Sequence, residues 1–108
     1  MLDIGCGPGT LALPLAQRGL DVVALDYSER MLEQLREKAG SAGLTNIRTL
    51  HRAWEDDWHD MPVCDIVIAS RSTTVDDLEM ALHKMVRHAR LRACFSYPAD
   101  GFFVGREI

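Results

Sequence analysis

Three glycines at every second position follow an aspartate in the stretch LDIGCGPGT (residues 2–10). Gly5, Gly7 and Gly9 leave the backbone bare where it must turn sharply, so that another molecule can lie against it. A glycine-rich turn between a strand and a helix directs backbone N–H groups and the positive end of the helix dipole toward a ligand. The pattern therefore predicts a binding site for a polar or anionic ligand, with the carboxyl group of Asp3 beside it.

The spacing of the glycines discriminates between two kinds of nucleotide site. The dinucleotide pattern is GxGxxG, whose third glycine lets the helix pack closely against the strand. Thr10 stands where this third glycine would be. The spacing disfavours a pyrophosphate ligand without excluding it, whereas the pattern acid-x-Gly-x-Gly-x-Gly is satisfied in full.

A second acid follows the next predicted strand. Asp26 ends the apolar run DVVALD (21–26), about 20 residues after the glycine loop, where an acid binds ribose hydroxyls in nucleotide-binding sheets. A carboxylate can accept hydrogen bonds from both vicinal hydroxyls. The alternative is a helix cap, but Ser28 can supply that cap, so we favour ribose binding. NAD-binding proteins use an acid in the same way, and Asp26 alone does not separate the two cofactors.

These motifs together resemble those of the class I, Rossmann-like, S-adenosylmethionine-dependent methyltransferases. LDIGCGPGT resembles the first motif of that family, and the resemblance continues through VVALDYSERML and CDIVIASRS over essentially the whole chain. It implies S-adenosyl-L-methionine as cofactor and methyl transfer as activity. An NAD(P)-binding oxidoreductase half-domain and a non-catalytic, truncated fold are the alternatives.

The resemblance also assigns roles within the glycine loop. Asp3 would orient the loop and approach the amino group of the methionine part of the cofactor. The backbone at Gly5 and Gly7 would pass close to the ligand, and Gly9 would open the following helix. Cys6 is included among the predicted cofactor-binding residues because it lies in this loop. We interpret it as a small side chain that fills the turn rather than a reactive thiol.

Further cofactor contacts are predicted after strands two, three and four. The family usually carries an acid after strand three, but Ala53 occupies that place. Trp54 could instead stack on the adenine and Glu55 could reach its exocyclic amine; the alternative is that Trp54 is a core side chain. Tyr27, next to the ribose acid, and Ser70, through its backbone carbonyl, complete the predicted set.

The residues that select the methyl acceptor are not identified by the sequence. The Asn/Asp-Pro-Pro-aromatic stretch of amino-methylating enzymes and the Pro-Cys of cytosine C5 enzymes are both missing after strand four. Arg71 could pair with an acidic substrate or form a surface salt bridge. Tyr97 and Pro98 are weaker candidates for the substrate side, and no catalytic residue is assigned.

Alternating strands and helices must position these residues. The order β-α-β-α-β-β-α-β predicts a three-layer, doubly wound, mostly parallel sheet of about five strands. Thr10, Ser28 and Thr74 are predicted helix N-caps, and the polar connection 54–62 is predicted to contain a turn of helix. The predicted strands are 2–4, 21–26, 47–52, 64–70 and 90–97.

Length and composition limit what the chain can be. Its 108 residues allow one domain, here predicted as a partial methyltransferase core over 1–108 whose exposed sheet edges favour self-association. Twelve basic and sixteen acidic residues give a net charge of −4, which favours a small-molecule substrate over nucleic acid or a membrane surface. Three cysteines without a secretion signal indicate the reducing cytoplasm. Scattered histidines and cysteines predict no metal site.

Overall fold

Six strands form one sheet in the computed structural model, which describes residues 1–70, 77–97 and 102–107. The order across the sheet is β3-β2-β1-β4-β5-β6. The strands are β1 (Leu2–Ile4), β2 (Val22–Asp26), β3 (Ile47–His51), β4 (Cys64–Ser70), β5 (Ala89–Tyr97) and β6 (Phe102–Glu107). The described helices are α1 (Ala12–Gln17), α2 (Glu29–Ser41) and α3 (Leu78–His88). The sheet order reverses beside β1, so the glycine loop that follows β1 lies at the switch point where such sheets bind ligands.

The first five strands are parallel, as predicted, and the sixth is not. β1 pairs with β2 and with β4, with Ile4 opposite Leu25 on one side and opposite Ala69 on the other. β6 runs antiparallel along β5. The predicted sheet of about five strands therefore lacks one strand, and β5 is not one of its exposed edges, because Phe102–Glu107 pairs with it. A single sequence carried no alternation there strong enough to predict this pairing.

Helices cover both faces of the sheet. α1 and α2 pack with Val22 and Ala24 on one face, while α3 packs with Leu2, Ile4 and Val67 on the other. Side chains alternate between faces along a strand, so Asp3 points to the α1–α2 face between two residues of the opposite core. This alternation buries a carboxyl group beside the start of the glycine loop.

Three local predictions differ from the structure. The N-cap of α1 is Leu11 without a side-chain bond, so the Thr10 cap is wrong. Asp77 caps α3 by accepting from the N–H of Met80, so this helix begins later than predicted, and Thr74, the predicted cap, lies outside the described residues. The 54–62 connection contains turns and no helix. The Ser28 cap of α2 is confirmed by its bond from the N–H of Met31.

Candidate functional site

Two glycines of the glycine loop differ in what an added side chain would meet. Gly7 has φ +56° and a Cβ placed on it would meet nothing within 4 Å, so its open side is available to a ligand. Gly9 has φ +98°, and a Cβ there would lie 2.4 Å from Cδ1 of Leu35 on α2. Gly9 therefore allows the loop to pack closely on α2, whereas Gly7 leaves the backbone open to a ligand.

Asp26 joins the end of β2 to this loop. Its carboxylate is 6% exposed; Oδ2 accepts from the N–H of Gly7 at 2.8 Å and Oδ1 accepts from the N–H of Ser28 at 2.8 Å. A carboxylate has about four lone-pair sites, so two backbone bonds leave acceptor capacity for hydroxyl donors. Asp26 is thus fixed in direction by the protein while it remains able to bind a diol.

Asp3 is the buried group whose bonding the protein leaves incomplete. Its side chain is 2% exposed, and Oδ2 has no hydrogen-bond partner among the described residues. Burial, and secondly the nearby charge of Asp26, raise the pKa of Asp3 to about 7. Leaving a buried acceptor unsatisfied costs about 1–3 kcal/mol. An ammonium group at this position would supply both the missing donor and the compensating charge.

Cys6 lies buried at the same turn. Its thiol is 3.4 Å from the carbonyl oxygen of Gly7, and it belongs to the core cluster beneath α1 and α2. Desolvation by burial, with the charges of Asp3 and Asp26, raises the pKa of Cys6 to about 12. The thiol therefore stays protonated at neutral pH, which agrees with a packing role and not with a reactive thiolate.

Of the residues predicted to contact the cofactor or substrate outside the glycine loop, two lie at the carboxyl edge of the sheet. Tyr27 is 76% exposed directly after Asp26, and Ser70 is exposed at the end of β4. Both lie at the carboxyl edge of the sheet, together with the glycine loop. Arg71 and Pro98 lie outside the described residues. Tyr97 is the last residue of β5.

Trp54 is brought into the core. It is buried and stacks on Trp58 with ring centroids 5.3 Å apart and planes 20° from parallel. This supports the alternative in which Trp54 packs in the core, and Trp58 is buried in the same core cluster. Ala53 accepts through its carbonyl from Nε1 of Trp58, and the side chain of Glu55 is exposed. Glu55 therefore stays a candidate for the adenine amine.

Neither a metal centre nor a membrane span is found in the part of the chain that the structure describes. Within residues 1–70, 77–97 and 102–107, no three His, Cys, Asp or Glu side chains cluster as metal ligands. No helix in the same residues is long and apolar enough to cross a membrane. At the carboxyl edge of the sheet the structure offers two buried carboxyl groups, one with acceptor capacity left for hydroxyl donors and the other able to accept from a cation.

Two polar residues of α3 were missed by the sequence analysis. Lys84 donates to the backbone carbonyls of Trp54 and Asp56, and His88 lies within hydrogen-bonding distance of the carbonyl of Trp58. These contacts join residues 28 or 30 positions apart. The pattern of a helix does not predict such contacts, because a polar residue that binds a distant loop has the same spacing as one that faces solvent.

Comparison with known sequences identifies a family. Residues 1–91 match the family model described as a methyltransferase domain. A protein of unassigned function from Haemophilus influenzae is 51% identical over all 108 residues, which is 40% of that protein. A trans-aconitate 2-methyltransferase from Rhodococcus jostii is 38% identical over 65% of this chain and 25% of its own length. A 23S rRNA (uracil-C5) methyltransferase from Shewanella sediminis is 39% identical over 47% of this chain and 12% of its own.

Solved structures share the fold. One, described for the conversion of a disulfide bond into a thioacetal group during echinomycin biosynthesis, has a TM-score of 0.78 and 31% identity over 87% of this chain and 40% of that one. The magnesium protoporphyrin IX methyltransferase of Synechocystis, with S-adenosylmethionine bound, has a TM-score of 0.73 and 24% identity over 87% of this chain and 46% of that one. The chain thus spans less than half the length of these relatives.

Proposed function

The chain belongs to the S-adenosylmethionine-dependent methyltransferase family, and we propose that it binds S-adenosylmethionine at the glycine loop for methyl transfer to a small-molecule acceptor. The observation that carries the proposal is the buried Oδ2 of Asp3, which has no partner within residues 1–70, 77–97 and 102–107, beside a loop whose backbone these residues leave open at Gly7. A cationic amino group is the ligand group that such a carboxyl lacks. The family cofactor carries this group together with a ribose diol.

Each carboxyl group would hold a different part of the cofactor. Asp3 would bind the amino group of the methionine part, directly or through water. Asp26, already oriented by the N–H groups of Gly7 and Ser28, would accept from the two ribose hydroxyls. The bare backbone at Gly7 lets the ligand approach between them. Tyr27, Glu55 and the carbonyl of Ser70 are proposed as further contacts at the same edge.

Alignment is the main task that these residues perform. S-adenosylmethionine supplies an activated sulfonium methyl group when bound. The two buried carboxyl groups fix the direction of the ligand through charged hydrogen bonds, which restricts the geometries available to the reacting atoms. No general base among the residues of this chain is required by that role.

The acceptor class is proposed from charge. A net charge of −4 opposes the approach of a polyphosphate chain, which nucleic-acid enzymes attract with basic surfaces. One relative carries a small acid in its name, trans-aconitate, and another carries 23S rRNA. The charge favours the former class for this chain. The three free thiols support a reducing, cytoplasmic location.

Calorimetric titration with S-adenosylhomocysteine and with NADH tests the cofactor. We expect S-adenosylhomocysteine to bind and raise the melting temperature, and NADH to do neither. Asp26→Asn should weaken binding by about 10- to 100-fold, because a charged acceptor of two hydrogen bonds is replaced by a neutral one. Asp21→Asn, at an exposed position just before β2, is the matched control and should bind as the wild type does.

Three results would contradict the proposal. Tighter binding of NADH would favour the oxidoreductase alternative, and absence of binding to either ligand would favour a non-catalytic fold. Labelled methyl transferred to total RNA, and not to a panel of small organic acids that includes trans-aconitate, would overturn the acceptor class.

A further inference from the structure

The connection between β3 and β4 is held from α3. We name residues 52–63 the tryptophan loop, because both tryptophans of the chain lie in it. The Nζ of Lys84 donates to the backbone carbonyls of Trp54 and Asp56, and lies 5.0 Å from the centroid of the Trp58 ring. A single side chain of α3 thus binds the loop at two carbonyls and one aromatic face.

Bonds within the loop add to this anchor. The N–H of Ala53 donates to Oδ2 of Asp56 at 2.7 Å, and Nε1 of Trp58 donates to the carbonyl of Ala53 at 2.9 Å. Nδ1 of His88 lies 2.7 Å from the carbonyl of Lys84, on the same face of α3. The loop has no helix of its own, so these contacts supply the order that a helix would give.

The loop is also tied to the ribose acid. The N–H of Arg52 donates to the backbone carbonyl of Asp26 at 3.1 Å, which joins the start of the tryptophan loop to the end of β2. Glu55 stands between Trp54 and Asp56, whose carbonyls Lys84 holds, and its own side chain is exposed. Lys84 therefore holds the backbone on both sides of Glu55, which fixes the position from which its side chain extends.

We infer that Lys84 is a positioning residue for adenine selection, acting through the tryptophan loop on Glu55. The inference rests on the proposed function. A carboxylate beside the base accepts a hydrogen bond from the exocyclic amine of adenine and meets only a carbonyl oxygen in hypoxanthine. Without the Lys84 anchor the backbone that carries Glu55 samples more positions, so the carboxylate reaches the amine less often and selection between the two bases declines.

Affinities for S-adenosylhomocysteine and S-inosylhomocysteine, measured by calorimetry, test this inference. We expect the wild type to prefer the adenine compound by about tenfold, the discrimination that one hydrogen bond supplies. Lys84→Met retains the aliphatic stem and removes the donors, and should bring the ratio close to one. Lys84→Arg should retain most of the ratio. Lys38→Met, at the other lysine of the chain and exposed on α2, is the matched control.

Tryptophan fluorescence reports on the anchor separately. Both tryptophans lie in the loop, so Lys84→Met should change the emission spectrum while the far-ultraviolet circular dichroism stays that of a folded chain. If that variant does not fold, Trp58→Phe replaces it: this change removes the donor to Ala53 and retains a packed ring. It should lower the base preference in the same direction.

The outcomes separate the inference from the proposed function. Equal weakening of both ligands in Lys84→Met, with the ratio unchanged, would overturn the positioning role. A wild type that binds both compounds equally would overturn it too, while cofactor binding would stand. A wild type that binds neither compound would overturn the proposed function itself.

Discussion

The glycine loop and the tryptophan loop satisfy their polar groups in opposite ways. In the first, the buried Oδ2 of Asp3 has no partner among the described residues, and the open side of Gly7 meets no protein atom within 4 Å. In the second, Ala53 donates to Asp56 and accepts from Trp58, and Lys84 donates to the carbonyl of Asp56. The glycine loop therefore has hydrogen-bonding capacity left for a ligand, whereas the tryptophan loop uses its polar groups to hold its own conformation.

The incomplete bonding of the first loop lowers the stability of the folded chain. An unsatisfied buried acceptor is destabilising, and a carboxyl group in that position adds the desolvation of its charge. Such a group persists where a ligand completes it, which is why it marks the site more clearly than the exposed acids of the tryptophan loop. Asp57, for example, is fully exposed and its pKa is lowered, chiefly by the N–H of His59.

The largest expected effect comes from removing the charge of the unsatisfied carboxyl. The pKa of Asp3 is raised from 3.8 to about 7, so the folded state binds more protons than the unfolded state between these values. Stability from this group is present at low pH and is lost as the pH rises from about 4 to 7, by at most about 4 kcal/mol. Asp3→Asn should therefore be more stable than the wild type at pH 8, by an amount that vanishes near pH 4.

Urea unfolding at pH 4.5 and pH 8 measures this difference. Asp21→Asn should give a difference from the wild type that does not change with pH. Stability curves of wild type and Asp3→Asn that run parallel over this range would show that Asp3 is not strained in the folded state, and the contrast between the loops would be lost.

Gly9→Ala should destabilise the chain by about 3 kcal/mol. The added methyl group would stand 2.4 Å from Cδ1 of Leu35, which is buried, at a φ of +98° that alanine rarely adopts. Gly40→Ala is the control, because Gly40 lies in α2 with open space around it and should gain about 0.5–1 kcal/mol. Thermal unfolding followed by circular dichroism measures both. Equal effects at the two positions would show that the close approach of the glycine loop to α2 is not required.

Of the three substitutions predicted to change stability in these loops, Trp58→Phe should have the smallest effect on the free energy of unfolding, a loss of about 2 kcal/mol. The phenyl ring retains part of the packing on Trp54, while the hydrogen bond from Nε1 to the carbonyl of Ala53 and part of the buried volume of the indole are removed. Tyr27→Phe, at an exposed ring, should leave stability unchanged in the same urea titration. No loss in Trp58→Phe relative to Tyr27→Phe would show that neither the bond nor the indole volume supports the loop.

Local patterns predicted the parts of the fold that local physics controls. The spacing of Gly5, Gly7 and Gly9 indicated a sharp turn with a bare backbone, and all three adopt the positive φ angles that such a turn uses. The β-branched run before Asp26 indicated a buried strand with an acid at its carboxyl end, as found. The cap at Ser28 was likewise predictable, because a cap bond spans three residues. The cap at Asp77 was missed in favour of Thr74, since several residues in that segment are suitable N-caps.

The sequence by itself determined the type of each main element and the acid-glycine pattern, because backbone conformation and alternation of burial are properties of neighbouring residues. Tertiary structure alone decided that β6 pairs with β5, that Trp54 enters the core, and that Lys84 holds a loop 30 residues away. It also left Oδ2 of Asp3 buried without a partner in the part of the chain that the structure describes. Each of these depends on which distant surfaces pack together. The free energy of that packing cannot be predicted from the residue spacing within either segment.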